Sequence, residues 1–321
     1  MVIVLACALA APAQNTASRL VQDWQAFIGQ SASSAVSDYQ AAICPDGSTY
    51  VSDGADRVVE VDGHGQTLFD QHNLPDIKSV AAIACDANSR LVVVTARPRL
   101  INVVQPMNGA LVRTSSYSLE SPVTPHRMVA AGMGYIMLGL APGGRAPLHL
   151  LGQTGNEQIA FGPKPEHASD AALRAIANGS IVWDSLRQKL TLAPESPYYV
   201  YSFSADGHLL READVGGPEF RPTITDWATG MKLPGDRVTG IALLPSGGRA
   251  AEVIRIRPTD SGTWRHDATV ELLDLNLNVT ARIDDPPGDL QGADDRGTLY
   301  FTRVMPEVGV YLTRAHLEPQ P

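Results

Sequence analysis

The sequence predicts an all-β chain of many short antiparallel strands, and three observations carry that reading. Gly and Pro are frequent, at 28 and 23 of 321 residues, while charged residues make up only 18%. That composition favours strands and turns over long helices. A strand–turn–strand order recurs along the chain at a spacing of about 40 to 50 residues, the length of a four-stranded propeller blade. Five copies close on a turn that carries residues such as Asp, Asn and Gly, which tolerate positive φ. Together these predict a six-bladed β-propeller with four-stranded antiparallel blades, its ring closed by the N-terminal segment.

The chain opens with Val2 to Ala13, apolar throughout, and both Ala8-Leu9-Ala10 and Ala11-Pro12-Ala13 offer small residues at cleavage spacing. The segment reads as a signal peptide over residues 1–13, although it has no basic start. A lipoprotein anchored on Cys7 is the minor alternative. The expected location is periplasmic or extracellular. No later run approaches the roughly 20 apolar residues of a membrane helix, so no transmembrane segment is predicted.

Residues 14–33 are expected to form the closing segment and 34–318 the propeller. Within the closing segment, Leu20, Trp24, Phe27 and Ile28 fit a 3.6-residue period, which predicts a short amphipathic helix. The segment is still expected to complete the ring. The second and third strands of the repeat occur in six copies and the fourth in five, and a propeller left open would expose an unpaired edge.

The first copy runs from strand 39–44 through the turn Pro45-Asp46-Gly47-Ser48 to strands 50–53 and 57–61. The turn Asp62-Gly63-His64-Gly65 and strand 66–69 close it. Later copies place their second strands at 91–94, 135–138, 181–183, 251–254 and 299–302, and their third strands at 100–104, 148–151, 199–202, 270–273 and 310–312. The first, innermost strands are predicted at 39–44, 78–85, 127–131, 173–177, 237–244 and 290–292. An insertion over 215–236 stretches one copy. Cys44 and Cys85 end equivalent strands in consecutive copies. An inter-blade disulfide and two buried thiols both fit that placement.

The stretch from Tyr50 to Gly65, with Tyr50-Val51-Ser52-Asp53, Arg57-Val58 and Asp62-Gly63 in register, resembles an NHL-type repeat. More widely, residues 34–318 resemble the six-bladed propellers that include the SMP-30/gluconolactonase-like proteins. That resemblance implies a divalent metal held by a Glu, an Asn and an Asp at the inner mouth. Only Asp289 stands at such a point in this sequence.

Candidate chemistry is otherwise electrostatic. The net charge of −9 argues against a nucleic-acid partner, which needs clustered Lys and Arg. Yet cations gather where the inner strands begin: Lys78, His126, Arg127, Arg174 and Arg237. Arg97, Arg99, Arg145, Arg187, Arg255, Arg265 and Arg303 are placed in the loops between second and third strands. If these loops share one face, the channel mouth there is basic and suits a carboxylate, a phosphate or an acidic sugar. The alternative is that each Arg pairs with a neighbouring carboxylate and covers apolar surface.

Trp264 and His266 offer ring faces for stacking, and the insertion adds Phe220 and Trp227. No HExxH, GxSxG or GxGxxG motif occurs. The expectation is a binding module for a small anionic ligand, a glycan or a protein partner, with the ligand-binding residues Lys78, His126, Arg127, Arg237, Trp264 and His266. No catalytic residue, metal ligand or cofactor is assigned. A metal-dependent lactonase or hydrolase is the alternative.

Overall fold

A computed structural model describes residues 18–29, 39–71, 77–107, 109–132, 134–144, 146–163, 170–222, 224–226, 231–233, 235–305 and 307–319. The proposed signal peptide lies outside these residues, as does Trp227. The first described element is β1 (Ser18–Gly29), and the blades follow, each laid down from the channel outward. The first blade is β2 (Gln40–Ile43), β3 (Thr49–Ser52), β4 (Val58–Val61) and β5 (Thr67–Gln71). The second is β6 (Val80–Cys85), β7 (Leu91–Ala96), β8 (Arg99–Met107) and β9 (Ala110–Ser118). The third is β10 (Thr124–Ala131), β11 (Gly134–Leu140), β12 (Leu148–Gly152) and β13 (Glu157–Phe161).

Helix α1 (Asp170–Ala177) precedes the fourth blade, β14 (Ser180–Asp184), β15 (Lys189–Ala193), β16 (Tyr199–Ser204) and β17 (Leu209–Asp214). A hairpin, β18 (Ile224–Asp226) and β19 (Met231–Leu233), occupies the insertion. The fifth blade is β20 (Arg237–Leu243), β21 (Arg249–Pro258), β22 (Trp264–Leu273) and β23 (Val279–Asp284). The sixth has three strands of its own, β24 (Asp289–Ala293), β25 (Leu299–Met305) and β26 (Gly309–Pro319), and β1 pairs antiparallel with β26 as its outermost strand.

The protein is thus a six-bladed β-propeller closed by its N-terminal segment. Six separate cores lie between consecutive blades, one of them joining the sixth blade to the first. A middle strand is therefore covered on both faces, and β3 and β4 are buried at every position. This is why a middle strand such as β7, Leu91-Val92-Val93-Val94-Thr95-Ala96, reads as a near-continuous apolar run instead of an alternating one. The outer strands β5 and β17 are largely exposed and carry the polar residues.

Two expectations on local structure are corrected. Over its described residues, Ser18–Gly29, the closing segment is a strand, not a helix. Bulges between Gln22 and Trp24 and between Phe27 and Gly29 break its pairing register, so its apolar spacing departs from strict alternation and imitates a helical period. Around the first bulge Leu20 and Trp24 both face apolar clusters, and Ala26 and Ile28 follow on the buried side. In the fourth blade, residues 173–177 are the end of helix α1, not the inner strand. Leu173, Ile176 and Ala177 bury one face of it, and Gly179 ends it against Ala193, whose carbonyl oxygen a Cβ would meet at 2.3 Å. The inner strand is Ser180–Asp184, so residues 181–183 belong to the first strand of that blade, not the second.

Cys44 and Cys85 form a disulfide, with Cα atoms 5.2 Å apart, an ordinary span for such a bond. It ties the inner strands of the first two blades.

Candidate functional site

Antiparallel blades divide the loops between two faces. On one, the inner strands begin and the second strands turn into the third; on the other, the first strands turn into the second and the third into the fourth. A narrow channel of about 210 Å³ runs between the inner strands. Small residues, Ala41, Ala84, Ala130, Gly292 and Ala293, leave it open.

At the face where the inner strands begin, four of them carry a bulge in their first residues: Val80/Ala82, Pro125/Arg127, Val238/Gly240 and Leu290/Gly292. Each bulge breaks the strand ladder and frees backbone or side-chain groups to bond across blades. Gln40 Nε2 donates to the carbonyls of Ala81 (3.0 Å) and His126 (3.1 Å), linking three blades. Gln291 Oε1 accepts from Ala41 N–H at 3.2 Å. Ser180 Oγ accepts from Ile241 N–H at 3.3 Å.

Between the fifth and sixth blades the bridging group is a carboxyl. Glu252, on β21 and 1% exposed, accepts from the Thr239 hydroxyl at 2.6 Å and from Leu290 N–H at 2.7 Å, both on Oε2. Burial pushes its carboxyl up to about 7; these two hydrogen bonds work in the opposite direction, and the nearby Asp289 adds to the rise. Gly240 allows the close approach, since a Cβ there would meet the Leu290 carbonyl oxygen at 2.1 Å.

Asp289 begins β24 and is reached by solvent, yet protein surrounds it closely enough to raise its carboxyl. Arg237 and Arg127 oppose that rise. Arg237 belongs to the neighbouring fifth blade, whereas Arg127 stands on the third blade, opposite the sixth in the ring. Arg127 also lines the channel. The structure therefore brings two of the expected residues, Arg127 and Arg237, to one acidic group at one mouth. The Nε of Arg237 is buried and donates to nothing among the described residues.

The other expected residues lie apart. Lys78 is exposed just ahead of β6. His126 contributes its backbone carbonyl to Gln40, and its ring does not line the channel. Trp264 and His266 sit on the far end of the long β21–β22 hairpin, exposed and outside the channel lining. Several loop arginines are structural. Arg99 donates to the carbonyls of Ser121 and Val123, and Arg255 pairs with the buried Glu271 at 2.6 Å. Arg187 belongs to the opposite face, a consequence of the shifted strand assignment in the fourth blade.

In the insertion, Phe220 packs on Tyr198, ring centroids 5.8 Å apart. The insertion ends on Asp236, which is fully buried and bonded by Arg257 (2.6 and 3.1 Å) and by the N–H groups of Arg221 and Ile256. Burial alone would raise this carboxyl, but those four bonds outweigh it and hold it below the usual range.

Sequence reasoning missed Glu252, Gln40, Gln291 and Ser180, because an isolated polar residue in an apolar strand carries no signal of which neighbouring blade it bonds.

The divalent metal implied by the lactonase-like resemblance does not fit this donor set. Asp289 shares its surroundings with two guanidinium groups, and Glu252 spends Oε2 on two donors. Among the described residues no three His, Cys, Asp or Glu side chains converge.

Fold and site together define a six-bladed β-propeller with two arginines and an aspartate at one channel mouth. Comparison with solved structures gives the same architecture. Virginiamycin B lyase from Staphylococcus aureus is similar at a TM-score of 0.53 and 12% identity, over 93% of this chain and 99% of that one. A gluconolactonase from Xanthomonas campestris is similar at 0.52 and 13%, over 92% and 89%. A protein of unknown function from Bacteroides caccae is similar at 0.51 and 11%, over 77% and 82%. At these identities the likeness is one of fold. No protein-family model matches the chain, and no curated protein sequence does.

Proposed function

We propose that the chain is an exported binding module that takes a small anionic ligand, a carboxylate or an acidic sugar, at the arginine mouth of its channel. The observation that carries this reading is the buried, unspent Nε–H of Arg237 at the start of the inner strand β20. Arg127 and Arg237 both act electrostatically on Asp289, at the start of β24. A guanidinium whose donors are not all committed binds a carboxylate or phosphate strongly, because the charge-assisted bonds form where water is scarce. Asp289 offsets part of the positive charge of the two arginines, which a ligand carboxylate would share. Trp264 and His266, exposed on the same face, give a longer glycan a surface to stack on. Export is supported by the apolar run from Val2 to Ala13 and by the Cys44–Cys85 bridge, since disulfides persist in oxidising compartments.

The test is a thermal-shift and calorimetric screen of the mature protein with sugar acids, phosphates and lactones. Ligand binding to the native state raises the melting temperature by mass action. We expect a shift with at least one carboxylate, reduced at least tenfold in affinity by Arg237→Ala and unchanged by EDTA. A shift given only by Ca²⁺ or Zn²⁺ and abolished by EDTA would overturn this reading in favour of a metal enzyme. A screen with no shift would leave a protein partner in the ligand's place.

A further inference from the structure

The channel opens at its other end into a basin of about 830 Å³, within the range of cavities that enclose small organic ligands. Trp183, at the end of β14, stands where channel and basin meet and lines both. Tyr135, Pro45 and Pro245 form apolar wall, and Leu186 projects at the rim with 88% of its surface exposed.

The charges around this basin are opposite in sign to those of the arginine mouth. Four aspartates, Asp86, Asp184, Asp294 and Asp295, line it against two arginines, Arg90 and Arg187. Both arginines are already engaged, Arg90 with Asp86 at 2.7 Å and Arg187 with Asp184 at 3.1 Å. Asp294 has Arg314 at 3.5 Å. Asp295 is exposed and has no hydrogen bond or ion pair among the described residues. The basin thus combines an indole at its base, apolar walls and a surplus of carboxylate.

We propose that this basin is a second ligand site, for an organic cation that carries an apolar ring, such as a protonated or quaternary amine on an aromatic group. An indole face attracts such a cation through its quadrupole, more strongly as water is removed. The apolar ring gains by leaving water against Tyr135 and the prolines, and the surplus carboxylate selects the sign of charge. The site is independent of the anion site at the opposite mouth, and neither reading depends on the other.

The probe is benzyltrimethylammonium, titrated calorimetrically into the wild-type chain and into Trp183→Ala, Asp295→Lys and Arg237→Ala. We expect binding to the wild type, about tenfold weaker in Trp183→Ala and in Asp295→Lys, and unchanged in Arg237→Ala. Tetramethylammonium, which lacks the ring, should bind more weakly than the benzyl compound. Asp295 is exposed, so its variant decides the matter even if Trp183→Ala fails to fold. No binding to the wild type at millimolar probe, or binding that survives Asp295→Lys, would overturn the proposal, and so would a loss in Arg237→Ala equal to that in the basin variants.

Discussion

At the scale of single residues, the groups that join the blades near the channel are polar side chains embedded in apolar strands. Glu252 is the one with a measurable pH signature. Its carboxyl is raised by burial from 4.5 to about 7, so between those values the folded protein keeps a proton that the unfolded chain releases. Its contribution is fully present below pH 4.5 and is lost as pH rises through about 7. Glu252→Gln keeps an oxygen for the Thr239 hydroxyl and Leu290 N–H while removing the titration. The variant should match the wild type near pH 4 and exceed it by on the order of 2 kcal/mol at pH 8, as read from denaturant melts at the two pH values. A variant less stable than wild type at pH 8 would show that the carboxylate form is the one the fold prefers. Arg127 and Arg237 were legible in the sequence because each stands at the start of a predicted inner strand. Their shared partner Asp289 was visible as an isolated acid, but the width of the channel that brings Arg127 to it was not.

At the scale of elements, the seam between the sixth and first blades rests on more than the β1–β26 pairing. Trp24 Nε1 donates to the Gly63 carbonyl at 3.1 Å, and Arg314 donates to the same oxygen at 3.0 Å. Arg57, held by Asp70 at 2.7 Å, donates to the carbonyl of Ile28. Gly65, at φ +83°, lies so close to the indole that a Cβ would meet it at 2.8 Å. Trp24→Ala removes the indole hydrogen bond and its edge contact with Tyr300, whose ring centroid is 6.2 Å away. It should cost about 2 to 4 kcal/mol, measured by chemical denaturation; a change below 0.5 kcal/mol would show that strand pairing alone closes the ring. Strand order and turn chemistry were readable because the Asp-rich turns repeat one device. Asp62 Oδ1 accepts from the N–H groups of His64 and Gln66, Asp86 Oδ1 from those of Asn88 and Arg90, and Asp274 Oδ1 from those of Asn276 and Asn278. These aspartates serve turn chemistry, a matter of local bonding that leaves its mark at fixed spacing. The helical look of β1 and the strand look of α1 were misleading for one reason: a short apolar run does not reveal its period when a bulge or a tight turn interrupts it.

At the scale of the whole molecule, six inter-blade cores make each blade dependent on two neighbours, and the disulfide adds a covalent tie across one of the junctions. Its loop spans 41 residues, and the chain-entropy estimate for a loop of that length is about 4 kcal/mol. The double variant Cys44→Ser/Cys85→Ser should unfold at lower denaturant than the oxidised protein, with a loss up to that size. A reductant should lower the wild-type midpoint and leave the variant's unchanged. Equal midpoints for the variant and the oxidised wild type would show that the bridge constrains nothing the blades do not already fix. The closure has a further consequence in time. A ribosome delivers β1 first and its partner β26 last, with five complete blades made in between. Throughout that interval β1 waits as a solitary edge carrying Trp24, Ala26 and Ile28, while the blades already made can settle in order of synthesis. The ring locks only when the final strand emerges, so a nascent chain truncated before β26 would hold a docking edge without its mate, and chaperone capture should peak late in synthesis.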